Sequence, residues 1–528
     1  MSSQQDVLVV GSGHNGLICA AYLAKAGHKV TVLERRDTIG GAVCTETMFK
    51  SDENPNGFKM DVGSSVHIMI HQTGIIEELE LEKYGLEYIE MDPFMSYPLP
   101  NDKGVIHFFK DVERTIESIA KVAPEDVQNY RDFVDFWGQL NKGVLKAFMA
   151  IPKIGSIMAE IIKANIKEGG LFKGDQTVAL QKVLAPYGKV IEEAFDNEHL
   201  KTAIMWFAAQ SGPTPDHPAS GDFAGWHAML HQSGAKHPKG GSGMLTQALK
   251  NYIHAKGGQV IADSPVKNIL VQNGKAIGAI TEEGQEYRAK AVVSNAHVQT
   301  TMLKLVGPDH LSKNMFRRVE KINVGNGFGM VIRCAVNELP QYNAAPDDPY
   351  IHNGMQLLCP SRDYMYNAIG DYHKKLPPTN PAVLAMTFSK IDPEVALDGK
   401  HALFAWAQWH PYDMANGLKW DDIREQEAQK IYDVVTRYAP NMKGQLIDWY
   451  IQSPLDIERK HGLLKGNVMH VEMTFDQMFM FRPIPEMSTY ETPIKNLYLA
   501  SASCHPGGGV FGAAGYNAAK VVLKKGLK

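Results

Sequence analysis

Three glycines and a carboxylate form the first group in the chain whose spacing can do chemistry. In Gly11-Ser12-Gly13-His14-Asn15-Gly16, Gly11 permits a tight turn, Gly13 lets a diphosphate approach the backbone, and Gly16 lets a helix and a strand pack closely. Glu34 follows 18 residues after Gly16, where a carboxylate can accept hydrogen bonds from both ribose hydroxyls of a dinucleotide. His14 and Asn15 begin the helix whose unpaired N–H groups would face the diphosphate. A second doublet, Gly40-Gly41, followed by Ala42, lies within reach of the same group, with Arg35 and Arg36 between. Taken alone the doublet could be an ordinary turn. At the other end, Ser501 to Gly515 contains Cys504-His505-Pro506-Gly507-Gly508-Gly509-Val510. Small residues there let the backbone approach a flat ring, and the N-terminus of the helix that follows would stabilise negative charge gathering on the ring edge.

These residues need elements to position them. Val7 to Val10 reads as a strand, His14 to about Ala26 as a helix, and Lys29 to Leu33 as a second strand ending at Glu34. A lone glycine triplet is weak; strand, turn, helix, strand and acid in order are specific to a dinucleotide site. Phe58 to His67 reads as a strand that ends in small residues, Gly63 and Ser64 among them. His67 could reach a reacting group, although a single histidine near a glycine turn is more often structural. Helices are predicted over Val112–Val122 and Val127–Leu140. A lysine-rimmed apolar series follows through Val144, Leu145, Phe148, Met149, Ile154, Ile157, Met158, Ile161 and Ile162, which Pro152 divides into two short amphipathic pieces. That face could lie on a membrane surface or cover a cavity. The Gly240-Gly241-Ser242-Gly243 loop is excluded as a second dinucleotide turn because its spacing is wrong and no strand is predicted before it. A meander is predicted over Val266–Val271, Ala276–Ile280 and Tyr287–Ala289. A separate buried strand then starts at Ala291, and strands are predicted near Gly327–Val336 and Ala402–Gln408 with a helix over Asp421–Arg437.

Composition narrows the class. The chain has 528 residues, 44% hydrophobic and 21% charged, with net charge −4, which fits an ordinary enzyme and gives no reason to expect nucleic acid. Five scattered cysteines form no CxxC pair and no zinc spacing, so no metal site is expected and a reducing, cytoplasmic location is the simpler reading. No secretory signal and no spanning helix are expected. Peripheral membrane association and a homo-oligomer stay open.

The stretch from Leu8 to Val43 resembles the opening of the flavin-dependent phytoene desaturase and amine oxidase superfamily. Further motifs share the resemblance: His237-Pro238-Lys239-Gly240-Gly241, Val292-Val293-Ser294-Asn295-Ala296, Gly462 to His470, Asp476 to Pro483, and the Cys504 to Gly509 run. Cys504 stands where threonine is more usual. The 462–483 signatures resemble the subgroup of desaturase-type carotenoid ketolases and pyridine nucleotide-disulfide oxidoreductase domain proteins. The resemblance implies an α/β fold with a Rossmann-type FAD-binding domain (1–95, 240–310, 485–528) and an interleaved α+β substrate domain (96–239, 311–484). FAD would be held non-covalently by the residues above, with Val266 offering its backbone to the adenine. It further implies hydride removal from a long apolar, polyene- or lipid-like substrate, with oxygen or a quinone as acceptor. A carotenoid ketolase, an amine oxidase, a redox-neutral isomerase and a non-catalytic flavin-binding protein are the alternatives. No catalytic residue is assigned.

Overall fold

The run Val7-Leu8-Val9-Val10 contains no polar position, as suits a strand covered on both faces, and all four side chains are buried. In the computed structural model, which describes residues 5–52, 54–153, 155 and 176–527, the opening strand Gln5–Val10 is central in its sheet. It pairs in parallel with Val30–Leu33 on one side and Glu286–Ser294 on the other, and Gln259–Ile261 and Leu497–Leu499 extend the parallel region. One sheet is therefore assembled from the start, the middle and the end of the chain. The opening helix His14–Lys25 packs against Met244–Ala255 and against the closing helix Ala513–Lys525.

Glu286–Ser294 differs from expectation: the meander strand and the re-entrant strand are one element. Its first half pairs antiparallel with Lys275–Thr281 and its second half runs parallel to the opening strand. Exposure alternates along Glu286–Lys290, then every residue from Ala291 to Ser294 is buried. The pattern changes because the strand leaves a one-sided meander and enters a sheet covered on both faces.

A second seven-stranded sheet orders Leu446–Gln452, Gly329–Val336, His401–Gln408, Val383–Met386, Met355–Leu358, Met95–Pro98 and Val105–Phe108. Val383 and Ala385 join the core beneath helix Trp420–Tyr438, whereas Leu384 and Met386 face a core built with Val127–Phe148, Glu198–Ala208 and Asp222–Ser233. This is the two-residue period of a sheet with both faces covered.

Two further expectations change. Val144, Leu145 and Phe148 continue the helix Val127–Phe148 instead of starting a separate piece. Leu145 and Phe148 are buried, so this part of the apolar face belongs to the core. Ile154, Ile157, Met158, Ile161 and Ile162 lie outside the described residues. A strand, Ala235–Pro238, does precede Gly240-Gly241-Ser242-Gly243. It pairs antiparallel with Tyr88–Met91, away from the parallel sheet; four residues ending in proline carry no readable alternation. Among the described residues no helix is long and apolar enough to cross a membrane.

Candidate functional site

Gly11 takes φ +95°, which allows the turn out of the opening strand, and its N–H donates to Leu33 O (2.8 Å). A Cβ on Gly13 would lie 2.5 Å from Asn295 Nδ2, and one on Gly16 would lie 2.6 Å from Gly11 O. The glycines thus admit the Asn295 amide as well as the adjoining backbone. The opening helix has no side-chain N-cap, leaving its first N–H groups available to a ligand. Asn295 was not singled out from the sequence, because its partner lies across the sheet.

Glu34 is buried. Its Oε2 accepts from Ser12 N–H (2.8 Å) and Ser12 Oγ–H (2.7 Å), and its Oε1 accepts from Arg36 N–H (3.1 Å). With roughly four acceptor positions on a carboxylate, one stays open to a ligand hydroxyl while these bonds stand. Ser12 Oγ also accepts from Gly40 N–H (3.1 Å), tying the glycine doublet to the turn. Arg36 donates to Gly41 O (2.7 Å), and its Nη1 is buried without a hydrogen-bond partner. Arg35 points elsewhere, donating to Lys460 O (2.9 Å). Val266 begins a strand two residues after Ser264, whose N–H donates to Glu34 O (2.7 Å), so it stands near the acid.

The C-terminal motif meets this turn directly. The His14 imidazole is hydrogen-bonded to the Gly509 backbone, its Nε2 is buried without a partner, and burial pushes its pKa down to about 4. A Cβ on Gly515 would fall 2.0 Å from Asn15 O, and Gly515 N–H reaches Asn15 Oδ1 at 3.4 Å. The closing helix, like the opening one, lacks a side-chain N-cap. Gly508 is pressed on Met469, while Gly509 has open space around it; Val510 is buried in the same apolar cluster as Leu17 and Ile18 of the opening helix. His505, joined to Pro506 by a cis bond, bonds through Nε2 to Ala147 O (3.1 Å), and its Nδ1 is buried without a partner.

Between the two ends lie Ala42, Gly63 and Ser64. Ser64 N–H donates to Ala42 O (2.9 Å), and a Cβ on Gly63 would sit 2.0 Å from that oxygen. A cavity of about 20 Å³ adjoins this segment, lined by Lys59, Asp61, Ser65, His237 and Arg333 among apolar neighbours. It has room for about one water, and Ser65 Oγ, His237 Nε2 and nearby Asp392 Oδ1 are buried without hydrogen-bond partners. Burial raises the Asp61 pKa and lowers that of Arg333 to about 10. His237 stands 4.0 Å from Asp61 Oδ2 and 3.7 Å from Asp392 Oδ2. Sequence reasoning missed this group, in which His237, Arg333 and Asp392 reach Asp61 and Ser65 from more than 170 residues away.

A profile of flavin containing amine oxidoreductases matches residues 16–336, more than half of the chain. The chain belongs to that family. This flavin amine oxidoreductase is 30% identical over 555 residues to the Mus musculus pyridine nucleotide-disulfide oxidoreductase domain-containing protein 2, covering 99% of this chain and 94% of the relative. It is 26% identical over 526 residues to a phytoene desaturase (lycopene-forming) of Pantoea ananas, covering 96% of each. An oxidoreductase structure from Methanosarcina mazei matches its fold with TM-score 0.63 at 19% identity, over 98% of this chain and 100% of that one. The protein is a FAD-dependent oxidoreductase of α/β, Rossmann-type fold. Its residues fit that cofactor. The buried His14 Nε2 and Arg36 Nη1, both without a hydrogen-bond partner and the latter 3.8 Å from Glu46 Oε1, and two uncapped helix N-termini suit an anionic diphosphate.

Proposed function

We propose that this flavoenzyme desaturates a long apolar, isoprenoid-like substrate, with oxygen or a quinone taking the electrons. Residues 1–95, 240–310 and 485–528 form the cofactor half of this reading, and 96–239 and 311–484 the substrate half. The observation that carries it is the apolar wall beside the C-terminal glycines. Phe148 packs on Phe479 and Phe511, both at 5.7 Å between ring centroids, and Met473 and Met469 lie against Gly507 and Gly508. Thioethers and aromatic faces suit a hydrocarbon. His505, 5.8 Å from the Phe148 ring, is kept neutral by burial, its pKa lowered to about 4.

Bound FAD supplies the two-electron acceptor for a hydride leaving a substrate carbon. The chain's residues orient and exclude water. Gly11, Gly13, Gly16, Glu34, Arg36, Gly40 and Gly41 hold the ADP portion, and Gly63, Ser64, Gly508 and Gly509 approach the ring. Burial raises the Cys504 thiol pKa to about 12, which keeps it inert as a nucleophile. Extraction of purified protein, followed by absorption and mass spectra of the extract, is expected to yield a polyene or another isoprenoid. Anaerobic addition of that compound should bleach the flavin with desaturated product; an amine that bleaches it instead overturns the reading. NADPH should leave the flavin oxidised under the same conditions, and fast bleaching would remove oxygen or quinone as its natural electron partner.

A further inference from the structure

Four side chains form an unbroken hydrogen-bonded row that the glycine turns and the apolar wall do not use. Ser64 Oγ lies 3.2 Å from Ser242 Oγ, Ser242 Oγ lies 2.9 Å from His67 Nε2, and His67 Nδ1 lies 2.8 Å from Tyr88 OH. Ser242 and His67 are both fully buried, whereas Ser64 and Tyr88, the two ends, are partly exposed. The backbone fixes the row. His67 N–H donates to Lys236 O (2.8 Å), Ser242 N–H donates to Asp61 Oδ1 (2.8 Å), and Tyr88 is paired with Pro238 across the short sheet. Each link passes between groups that both donate and accept, with no methylene gap and no fixed charge in the row. Burial, with His71, His237 and His14 nearby, holds the imidazole neutral by pushing its pKa far down. A neutral imidazole can accept a proton at one nitrogen while releasing one from the other.

We propose that Ser64, Ser242, His67 and Tyr88 are a proton wire linking the cofactor groove to solvent. The proposal rests on the placement of the flavin ring at Gly63 and Ser64 and is independent of the substrate's identity. In the outward direction His67 begins as the Nδ1–H tautomer. A proton released by the substrate carbon, whose C–H electron pair stays in the new double bond, is taken by Ser64 Oγ. Ser64 passes its own proton to Ser242, and Ser242 passes its own to His67 Nε2. The Nδ1 proton goes to Tyr88, and the phenolic proton leaves to water. Every member gains one proton and loses one, and His67 ends as the Nε2–H tautomer. Reversal carries a proton inward when the flavin is reduced without substrate.

The inward direction gives a readout apart from turnover. Holoenzyme, without substrate and without oxygen, is reduced by rapid mixing with excess viologen radical, an electron donor that carries no proton, in weakly buffered solution containing a pH-indicator dye, and flavin bleaching and proton uptake are timed together. In the wild type the two should coincide. In Ser242→Ala and in Tyr88→Phe, proton uptake should lag at least about tenfold behind bleaching, and Ser242→Thr, which keeps the hydroxyl, should restore it. His67→Gln, which keeps hydrogen bonds and cannot relay, should lag as well. Ser64→Ala tests the ring placement separately through the visible spectrum of the bound flavin, which should shift. A shifted spectrum with uptake that keeps pace in both Ser242→Ala and Tyr88→Phe overturns the wire and leaves the placement standing. An unshifted spectrum overturns the placement, and the wire with it.

Discussion

Replacing Gly515 by alanine tests whether the two ends of the chain build one cofactor site. The new Cβ would lie 2.0 Å from Asn15 O, 2.9 Å from Asn15 C and 3.1 Å from Asn15 Cα. All three are backbone atoms of the opening helix, so no side chain can rotate away. Reaching ordinary van der Waals contact requires the helices to part by about 1.5 Å. Overpacking of this kind typically costs about 1–3 kcal/mol. In the proposed FAD site both helix N-termini face the diphosphate, so much of that strain should appear as weakened FAD binding. At about 1.4 kcal/mol per decade, affinity should fall roughly tenfold to hundredfold. The assay is titration of apoprotein with FAD, followed by flavin fluorescence quenching, with thermal unfolding measured in parallel. Gly370→Ala is the control: it sits inside helix Arg362–His373 with nothing within 4 Å of an added Cβ, and it should stabilise by about 0.5–1 kcal/mol. A Gly515→Ala protein that binds FAD within about twofold of the wild type would refute the reasoning.

Other outcomes follow from single contacts. Arg482 is fully buried, and its guanidinium donates to the carbonyls of Met469, Val471, Glu472, Gln477 and Ala502. Arg482→Met should cost at least about 3 kcal/mol in denaturant unfolding, and a loss under about 1 kcal/mol would show the clamp to be dispensable. Burial raises the Glu472 pKa from 4.5 to about 7, so the folded state holds this proton more tightly than the unfolded state does. The stability it contributes is complete below pH 4.5 and is lost as pH rises through about 7. Glu472→Gln should flatten that part of the melting-temperature profile; an unchanged slope would count against the burial argument. Phe148→Ala should destabilise by about 3–5 kcal/mol without altering liposome flotation, because Phe148 is core; the reverse result would restore a membrane role for that face.

Legibility in the sequence followed the range of the interactions. The opening strand, helix and second strand were readable because Val7 to Glu34 carries its periodicity and turn glycines within one short stretch. Glu286–Ser294 was split in two by reasoning because its alternation stops at Ala291, and only its neighbours explain why. The strand Ala235–Pro238 was invisible: its hydrogen bonds go to Tyr88–Met91, and nothing in Ala-Lys-His-Pro signals them. In the site, the glycines were legible as local conformational needs. The Asn295 amide against Gly13 and the Ser242 hydroxyl against His67 were not, since each pairs groups more than 170 residues apart, joined only by the folded sheets.

The meeting of Asn15 with Gly515, 500 positions apart, also orders events on the ribosome. At about 5–20 residues per second, the opening helix waits for on the order of 25 to 100 seconds before its closing partner exists. During that interval the opening sheet lacks Leu497–Leu499, and Leu17, Ile18 and Ala21, all buried in the finished fold, have no closing helix to cover them. A nascent chain of this design keeps that apolar face uncovered, and so prone to aggregation, until the closing helix is made. Truncation from the carboxyl end should therefore produce an aggregation-prone, colourless protein, even though the glycine turn at the amino end is intact.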